Sequence, residues 1–173
     1  MKYFLFKALD ILILGLIYLK LRKKWLIKGK DHLIINSLMY FYLVAVLYVT
    51  LMPITTSLPF IFSHDYKSMN LEPFIDYIND YGDTVRQIVL NIIMMIPFGF
   101  LLPLIKKRNL FEVLLLTFLV SLGIELLQPL LSIYRFADVT DLITNTFGGF
   151  IGYLLYLVFK PLIIKYLAKI KSE

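Results

Sequence analysis

Five long apolar segments constrain the fold of this chain more than any other feature of its sequence. They cover approximately Tyr3–Leu19, Leu33–Met52, Val85–Ile105, Phe111–Leu130 and Val139–Phe159. A helix needs about 20 largely apolar residues to cross the hydrocarbon core of a bilayer. The segments are continuous apolar runs and lack the alternation that is typical of membrane-spanning strands. We therefore predict an all-α fold, a polytopic membrane helix bundle with about five transmembrane helices.

The composition of the chain supports this prediction and disfavours several other classes of protein. Hydrophobic residues make up 60% of the sequence, charged residues make up 17%, and the mean hydropathy is +0.79. A soluble domain of this size cannot bury so much apolar surface, because its surface-to-volume ratio is too high. The sequence has no cysteine, which excludes a disulfide framework and thiolate chemistry. Its two histidines, His32 and His64, are too few for a multi-histidine metal site.

Most of the 18 lysines and arginines follow the first, third and fifth apolar segments, and so lie on one side of a five-helix bundle. They are Lys20, Arg22, Lys23, Lys24, Lys28, Lys30, Lys106, Lys107, Arg108, Lys160, Lys165, Lys169 and Lys171. Short loops rich in Lys and Arg stay in the cytoplasm. We therefore predict that the N-terminus is outside and the C-terminus is cytoplasmic. The net charge of +6 is then a topology signal, and no nucleic-acid partner is expected.

The longest loop, Pro53–Thr84, is acidic and is predicted to lie outside the membrane. Two apolar patches within it, Leu71–Phe74 and Ile75–Ile78, favour a short helix on the outer membrane surface or over the end of the bundle. The chain shows no internal repeat and no linker, so residues 1–173 are predicted to form a single membrane domain.

Three of the predicted helices each carry polar residues on one face, because the spacings are i, i+3 and i+7. These residues are Thr84, Gln87 and Asn91 in the third segment, Glu125 and Gln128 in the fourth, and Asp138, Asp141 and Asn145 in the fifth. At 1.5 Å per residue, the deeper ones lie roughly 3–9 Å below the outer ends of their helices. Polar residues at such depths usually face the bundle interior or a wet cavity. The pattern predicts an outward-opening cavity lined by Asn91, Glu125, Gln128, Asp138, Asp141 and Asn145, with Arg86 and Arg135 at its mouth.

Structural roles are an alternative for several of these residues. Asp138 is also suited to cap the fifth helix, and the asparagines and Gln128 are suited to join helices by hydrogen bonds. The spacing of Gly148 and Gly152 indicates close helix packing, and Pro97, Gly99 and Pro103 indicate a bend in the third helix. Glu125 caps nothing, so we expect Arg135 or Arg86 as its partner. Asp10, in the first segment, is expected to pair with Lys7.

Four elements of the sequence, in this order, resemble the VanZ-like family. They are Asn70-Leu71-Glu72-Pro73-Phe74, Asn91-x5-Pro97-x-Gly99-x3-Pro103, Glu125-x2-Gln128 and Arg135-x2-Asp138-x2-Asp141-x3-Asn145-x2-Gly148-x3-Gly152. The resemblance spans residues 47–159. It implies a multi-pass protein of the bacterial cell membrane, and the namesake of the family is associated with resistance to the glycopeptide antibiotic teicoplanin. The resemblance implies no particular reaction, cofactor or metal.

Three functions remain open. The first is an envelope protein that binds a ligand at its outer face: a lipid headgroup, a lipid-linked cell-wall intermediate or the lipid tail of a lipoglycopeptide. Arg86 and Arg135 would bind its phosphate or carboxylate, and Asn91, Gln128 and Asn145 would supply amide contacts.

The second function is an intramembrane enzyme that acts on a lipid-linked substrate. Glu125 would be its general acid or base, and Asp138 and Asp141 would hold a divalent cation. The third is a transporter or flippase. It is disfavoured because the inner halves of the helices are apolar and inverted repeats are absent from the sequence.

Overall fold

Six α-helices follow one another in the computed structural model, which describes residues 2–61, 63 and 65–172. They are α1 (Lys2–Lys28), α2 (Lys30–Thr50), α3 (Ile75–Ile78), α4 (Thr84–Ile105), α5 (Leu110–Leu131) and α6 (Val139–Ser172), and a short 3-10 helix (Leu58–Phe60) precedes α3. No strand forms in these residues, so the predicted all-α fold is confirmed. His64 lies outside the described residues.

Four helices, α2, α4, α5 and α6, are long and apolar enough to cross a membrane. They coincide with the second to fifth predicted segments, although α6 continues well beyond Phe159. The first predicted segment, Tyr3–Leu19, is also helical, as part of α1, but it is not among the four. Lys7 and Asp10 interrupt its apolar run, and Lys20 follows it directly. The membrane-helix bundle is thus confirmed for four helices, and a crossing by α1 stays a prediction.

Glycines bring α4 and α6 into the most extensive helix contact of the bundle. A Cβ atom built on Gly99 would lie 2.0 Å from the carbonyl oxygen of Gly149, and one on Gly152 would lie 2.1 Å from that of Ile96. Only a residue without a side chain allows two helix backbones to approach so closely. The prediction that Gly148 and Gly152 mark close helix packing is therefore confirmed.

The start of α5 is fixed by its own sequence. The side chain of Asn109 accepts a hydrogen bond from the backbone N–H of Glu112 (2.9 Å), and the Glu112 carboxylate accepts one from the backbone N–H of Asn109 (3.0 Å). This reciprocal cap satisfies two N–H groups that a helix start leaves without partners. It ends the short basic loop after α4 and turns the chain back into the bundle.

Asp10 is buried, but its partner is not Lys7 as we expected. Its two carboxylate oxygens accept hydrogen bonds from the backbone N–H groups of Ile54 (2.6 Å) and Thr55 (3.0 Å). Lys7 instead donates to the carbonyl oxygen of Tyr48 (3.2 Å) and lies over its ring. Buried N–H groups need an acceptor, and the chain that leaves α2 brings two of them to Asp10.

The predicted orientation of the bundle can be tested by labelling, because the chain has no cysteine of its own. A cysteine that replaces Lys67, in the loop between α2 and α4, should react with a membrane-impermeant thiol reagent on intact cells. A cysteine that replaces Lys24, near the end of α1, should react only after the cells are broken. Labelling of the Lys24 variant and not of the Lys67 variant on intact cells would show that the orientation is the opposite of the predicted one.

Candidate functional site

A cavity of about 900 Å³ lies between α2 and α4 and reaches the start of α6. Five of the predicted site residues line it: Asn91, Gln128, Arg135, Asp138 and Asp141. Three that were predicted to belong to it, Arg86, Glu125 and Asn145, do not line it. We call this space the α2–α4 cavity.

Asp138 holds the start of α6 in place at one end of the cavity. Its Oδ1 atom accepts a hydrogen bond from the backbone N–H of Thr140 (2.6 Å), as an N-cap residue does. Its Oδ2 atom accepts one from the side-chain amide of Asn70 (3.0 Å). The capping role that the sequence suggested for Asp138 is therefore present, and a contact with the loop adds to it.

The segment Asn70–Phe74 is fastened to the start of α6 by its backbone. The N–H of Asn70 donates to the carbonyl oxygen of Ala137 (2.9 Å), and the N–H of Val139 donates to that of Asn70 (3.0 Å). The N–H of Phe74 donates to the hydroxyl oxygen of Thr140 (2.9 Å). Of the two apolar patches predicted to form a short helix, only Ile75–Ile78 is helical, because these contacts hold Asn70–Phe74 in a different path.

Phe74 lines this end of the cavity and has an uncommon backbone conformation. Its φ angle is 58°, in the left-handed region that bulky residues rarely adopt. The residue lines the α2–α4 cavity and directly precedes α3. The segment thus places an aromatic side chain at the cavity wall.

Asn91 and Asp141 join α4 to α6 within the cavity. The side-chain amide of Asn91 donates to the Oδ1 atom of Asp141 over 2.6 Å, and both side chains are half-buried. Both residues were predicted to share a site. Both residues line the α2–α4 cavity.

Glu125 lies behind the cavity wall, and its partner is a backbone group. It is only 2% exposed, and its Oε2 atom accepts a hydrogen bond from the backbone N–H of Asp138 (3.1 Å). Our expectation of an arginine partner is corrected: in the described part of the chain, Glu125 takes part in no ion pair. Its contact instead fixes the residue that caps α6.

The two arginines have partners other than Glu125. Arg135 donates from Nη1 to the carbonyl oxygen of Thr50 (3.0 Å) and from Nη2 to that of Val49 (3.2 Å). The last carbonyl groups of a helix lack donors of their own, and a cation is favourable there. Arg86 pairs with Asp83 (3.6 Å), and both side chains are exposed.

Asn145 joins α5 to α6 away from the cavity. Its side-chain amide donates to the hydroxyl oxygen of Ser121 (2.8 Å), and the residue is 1% exposed. The Oδ1 atom is buried and has no hydrogen-bond partner among the described residues. Asn145 therefore joins two helices by a hydrogen bond, which was the structural alternative to a role in the cavity.

The described residues contain no group of three or more His, Asp or Glu side chains that is placed to hold a metal ion. Both carboxylate oxygens of Asp138 already accept hydrogen bonds from the protein.

Comparison with known proteins identifies the family. Residues 39–160 match the VanZ/LLP1 family. The chain belongs to this family. It is similar to Protein VanZ of Enterococcus faecium, with 33% identity over 122 residues, which cover 70% of this chain and 72% of that protein. No solved structure matches the chain.

The region that matches the VanZ/LLP1 family contains all residues that line the α2–α4 cavity and all glycines of the α4–α6 contact. The resemblance inferred from four sequence elements is therefore confirmed. Sequence reasoning missed Thr140 and gave Asn70 and Phe74 no role in the site. The sequence element Asn70–Phe74 was recognised as part of the family resemblance. Its contacts with the start of α6 were not predicted, because they join residues that are more than sixty positions apart in the sequence.

Proposed function

We propose that this VanZ/LLP1 protein is a multi-pass protein of the bacterial cell membrane that binds a lipid or lipid-linked ligand in the α2–α4 cavity, at the outer face. The observation that carries the proposal is the amphiphilic lining of the cavity. The polar end, at the start of α6, carries charged side chains, and the walls formed by α2 and α4 carry mainly apolar side chains, some of them exposed at the surface of the bundle. A ligand with a polar head and a hydrocarbon chain matches both parts.

The polar end of the cavity combines carboxylates with one cation. Asp76, Asp138 and Asp141 line it together with Arg135. Carboxylates accept hydrogen bonds from amine and hydroxyl groups, whereas the guanidinium binds phosphate or carboxylate. The excess of carboxylates favours a head group that carries amine or hydroxyl groups.

The apolar wall is formed by α2 and α4 and is open toward the surrounding membrane. Val49, Leu90 and Ile93 line the cavity and are 63%, 51% and 56% exposed, respectively. In a membrane helix, an exposed apolar side chain faces lipid chains. The volume of about 900 Å³ lies within the range of ligand pockets. An acyl or prenyl chain that lies between α2 and α4 would therefore stay in contact with the bilayer.

We also propose that the protein contributes to resistance to teicoplanin, and the resemblance to the namesake of the family supports this. A cavity that binds an acyl chain would bind a glycopeptide that carries such a chain more tightly than a glycopeptide without one. We therefore expect that expression of the protein lowers the susceptibility of cells to an acylated glycopeptide and leaves their susceptibility to a glycopeptide without an acyl chain unchanged. An equal change for both kinds of glycopeptide would contradict a role of the apolar wall.

Asp141→Asn tests the polar end, because asparagine keeps an acceptor for the Asn91 amide and removes the charge. If a ligand amine or hydroxyl binds Asp141, we expect about a tenfold loss of ligand affinity and loss of the protection against teicoplanin. The measurement is drug susceptibility of cells that contain equal amounts of each variant. Asp83→Asn is the control, since Asp83 is an exposed acid outside the cavity. Equal protection by both variants would argue against the site.

The alternative, an intramembrane enzyme that acts on a lipid-linked substrate, is favoured by one observation. Two of its three proposed catalytic carboxylates, Asp138 and Asp141, line the same cavity. The position of Glu125 behind the wall favours the binding protein instead, because a general acid or base must come within hydrogen-bond reach of the substrate.

A further inference from the structure

A second cavity, of about 930 Å³, lies on the other side of Arg135. It is lined by α1, the end of α2, described residues of the loop after α2, the end of α5 and the turn that follows α5, and we call it the α1–α5 cavity. Thr50, Gln128, Tyr134 and Arg135 line both cavities and so lie between them. No role assigned above uses this second space.

The two cavities differ in the charge of their linings. The described residues that line the α1–α5 cavity include two cations, Lys7 and Arg135, and no carboxylate. Asp10, the acid nearest to Lys7 in α1, does not line the cavity, and both its oxygens accept backbone hydrogen bonds. The α2–α4 cavity, in contrast, is lined by three carboxylates. The α1–α5 cavity is therefore suited to an anion.

One buried polar atom at the α1–α5 cavity has no partner within the described part of the chain. The hydroxyl oxygen of Thr55 is buried and lacks a hydrogen-bond partner. Gln128, which is 9% exposed, also lines this cavity. Buried polar groups are costly when they are not satisfied. The Thr55 hydroxyl therefore indicates a polar ligand.

Both cations keep hydrogen-bond donors for such a ligand. Lys7 donates to the carbonyl oxygen of Tyr48, but an ammonium group has three donors. Arg135 donates to two carbonyl oxygens, but a guanidinium group has five N–H donors. Charge-assisted hydrogen bonds from two cations are typical of phosphate recognition.

The remaining lining of the cavity is apolar and reaches the membrane-facing surface. Met52 and Leu131 are buried or half-buried residues of its wall, and Phe6, Phe60 and Ile133 are exposed ones. We propose that the α1–α5 cavity binds an anionic phospholipid, with Lys7 and Arg135 on its phosphate and the Gln128 amide on the adjoining glycerol oxygens. This site goes beyond the proposed function and does not depend on a ligand in the α2–α4 cavity.

Native mass spectrometry of the purified protein with added phosphatidylglycerol tests this proposal. Lys7→Gln should weaken phosphatidylglycerol binding about tenfold, because it removes a charge-assisted hydrogen bond. Lys7→Arg should bind like the wild type. Arg86→Gln is the matched control, since it removes an exposed positive charge that lines neither cavity. Lys7 lines the α1–α5 cavity and not the α2–α4 cavity, so an effect of Lys7→Gln belongs to this site.

Three results would overturn the proposal: equal phosphatidylglycerol binding by the wild type and Lys7→Gln, equal binding of neutral diacylglycerol and phosphatidylglycerol, or inorganic phosphate binding as tightly as the phospholipid. The last would assign the site to free phosphate. If Lys7→Gln does not fold, Thr55→Val provides a second test, because Thr55 lines the α1–α5 cavity and not the α2–α4 cavity. It keeps the side-chain size and should weaken phosphatidylglycerol binding, and unchanged binding would contradict the proposal.

Discussion

Gly152→Ala should lower the free energy of unfolding by about 3 kcal/mol, the upper part of the range for overpacking in a protein core. The new Cβ atom would lie 2.1 Å from the carbonyl oxygen of Ile96 and 2.9 Å from the backbone nitrogen of Phe100. Both atoms belong to the backbone of α4, which cannot move aside as a flexible side chain does. The helices must separate, and the packing between them is lost. Titration of the purified protein from mild detergent into a denaturing detergent, followed by helical circular dichroism, measures this change.

Gly123→Ala is the matched control for this experiment. Gly123 is also a glycine within a membrane helix, but a Cβ atom built on it would meet nothing within 4 Å. Alanine favours a helix over glycine by about 1 kcal/mol, so this variant should unfold at the same or a higher denaturant concentration. Equal transitions of Gly152→Ala and the wild type would show that close packing of α4 on α6 contributes little.

The same helix contact connects stability to the candidate site. A Cβ atom on Gly148 would lie 2.3 Å from the carbonyl oxygen of Ile92, the residue next to Asn91. The hydrogen bond between Asn91 and Asp141 spans α4 and α6 at this level. The glycines therefore set the distance at which these two polar side chains meet, and they support the α2–α4 cavity from behind.

The helices of this chain could be predicted from the sequence because a bilayer imposes their length and apolarity. Four predicted segments coincide with membrane-length helices to within a few residues at most ends. The segment in α1 is not among these helices, and charged residues interrupt its apolar run. The far end of α6 was missed because Lys160 and Pro161 follow the apolar run, yet the helix continues through them.

The candidate site could be predicted in part, for an equally physical reason. Helical periodicity predicts that Asp138 and Asp141 share one face of a helix. Because the polar faces of the third and fifth segments lie at the same depth, the sequence also predicts that Asn91 and Asp141 lie close together. The partners of Glu125, Arg135 and Asp10 were missed because they are backbone groups at helix ends and turns. The tertiary path of the chain decides which backbone groups lack a partner, and this path cannot be read from the spacing of residues along the sequence.

Glu125→Leu should destabilise the protein by about 1–3 kcal/mol, the cost of a buried donor without an acceptor. The backbone N–H of Asp138 would lose its partner, and the residue that caps α6 would lose its position. Because Asp138 and Asp141 line the cavity at this point, we expect ligand binding and protection against teicoplanin to be lost as well. Detergent-induced unfolding and drug susceptibility at equal protein abundance measure the two effects.

Glu125→Gln is the matched variant that distinguishes a positioning role of Glu125 from a role as general acid or base. The side-chain oxygen of glutamine can accept the same hydrogen bond from Asp138, so a positioning residue should tolerate the change, with stability and protection close to the wild type. A general acid or base would not tolerate it, because glutamine exchanges no proton. A Glu125→Gln protein that inserts at normal abundance and binds its ligand, yet gives no protection, would contradict the positioning role. That result would instead favour the intramembrane enzyme, with Glu125 reaching the substrate from behind the cavity wall.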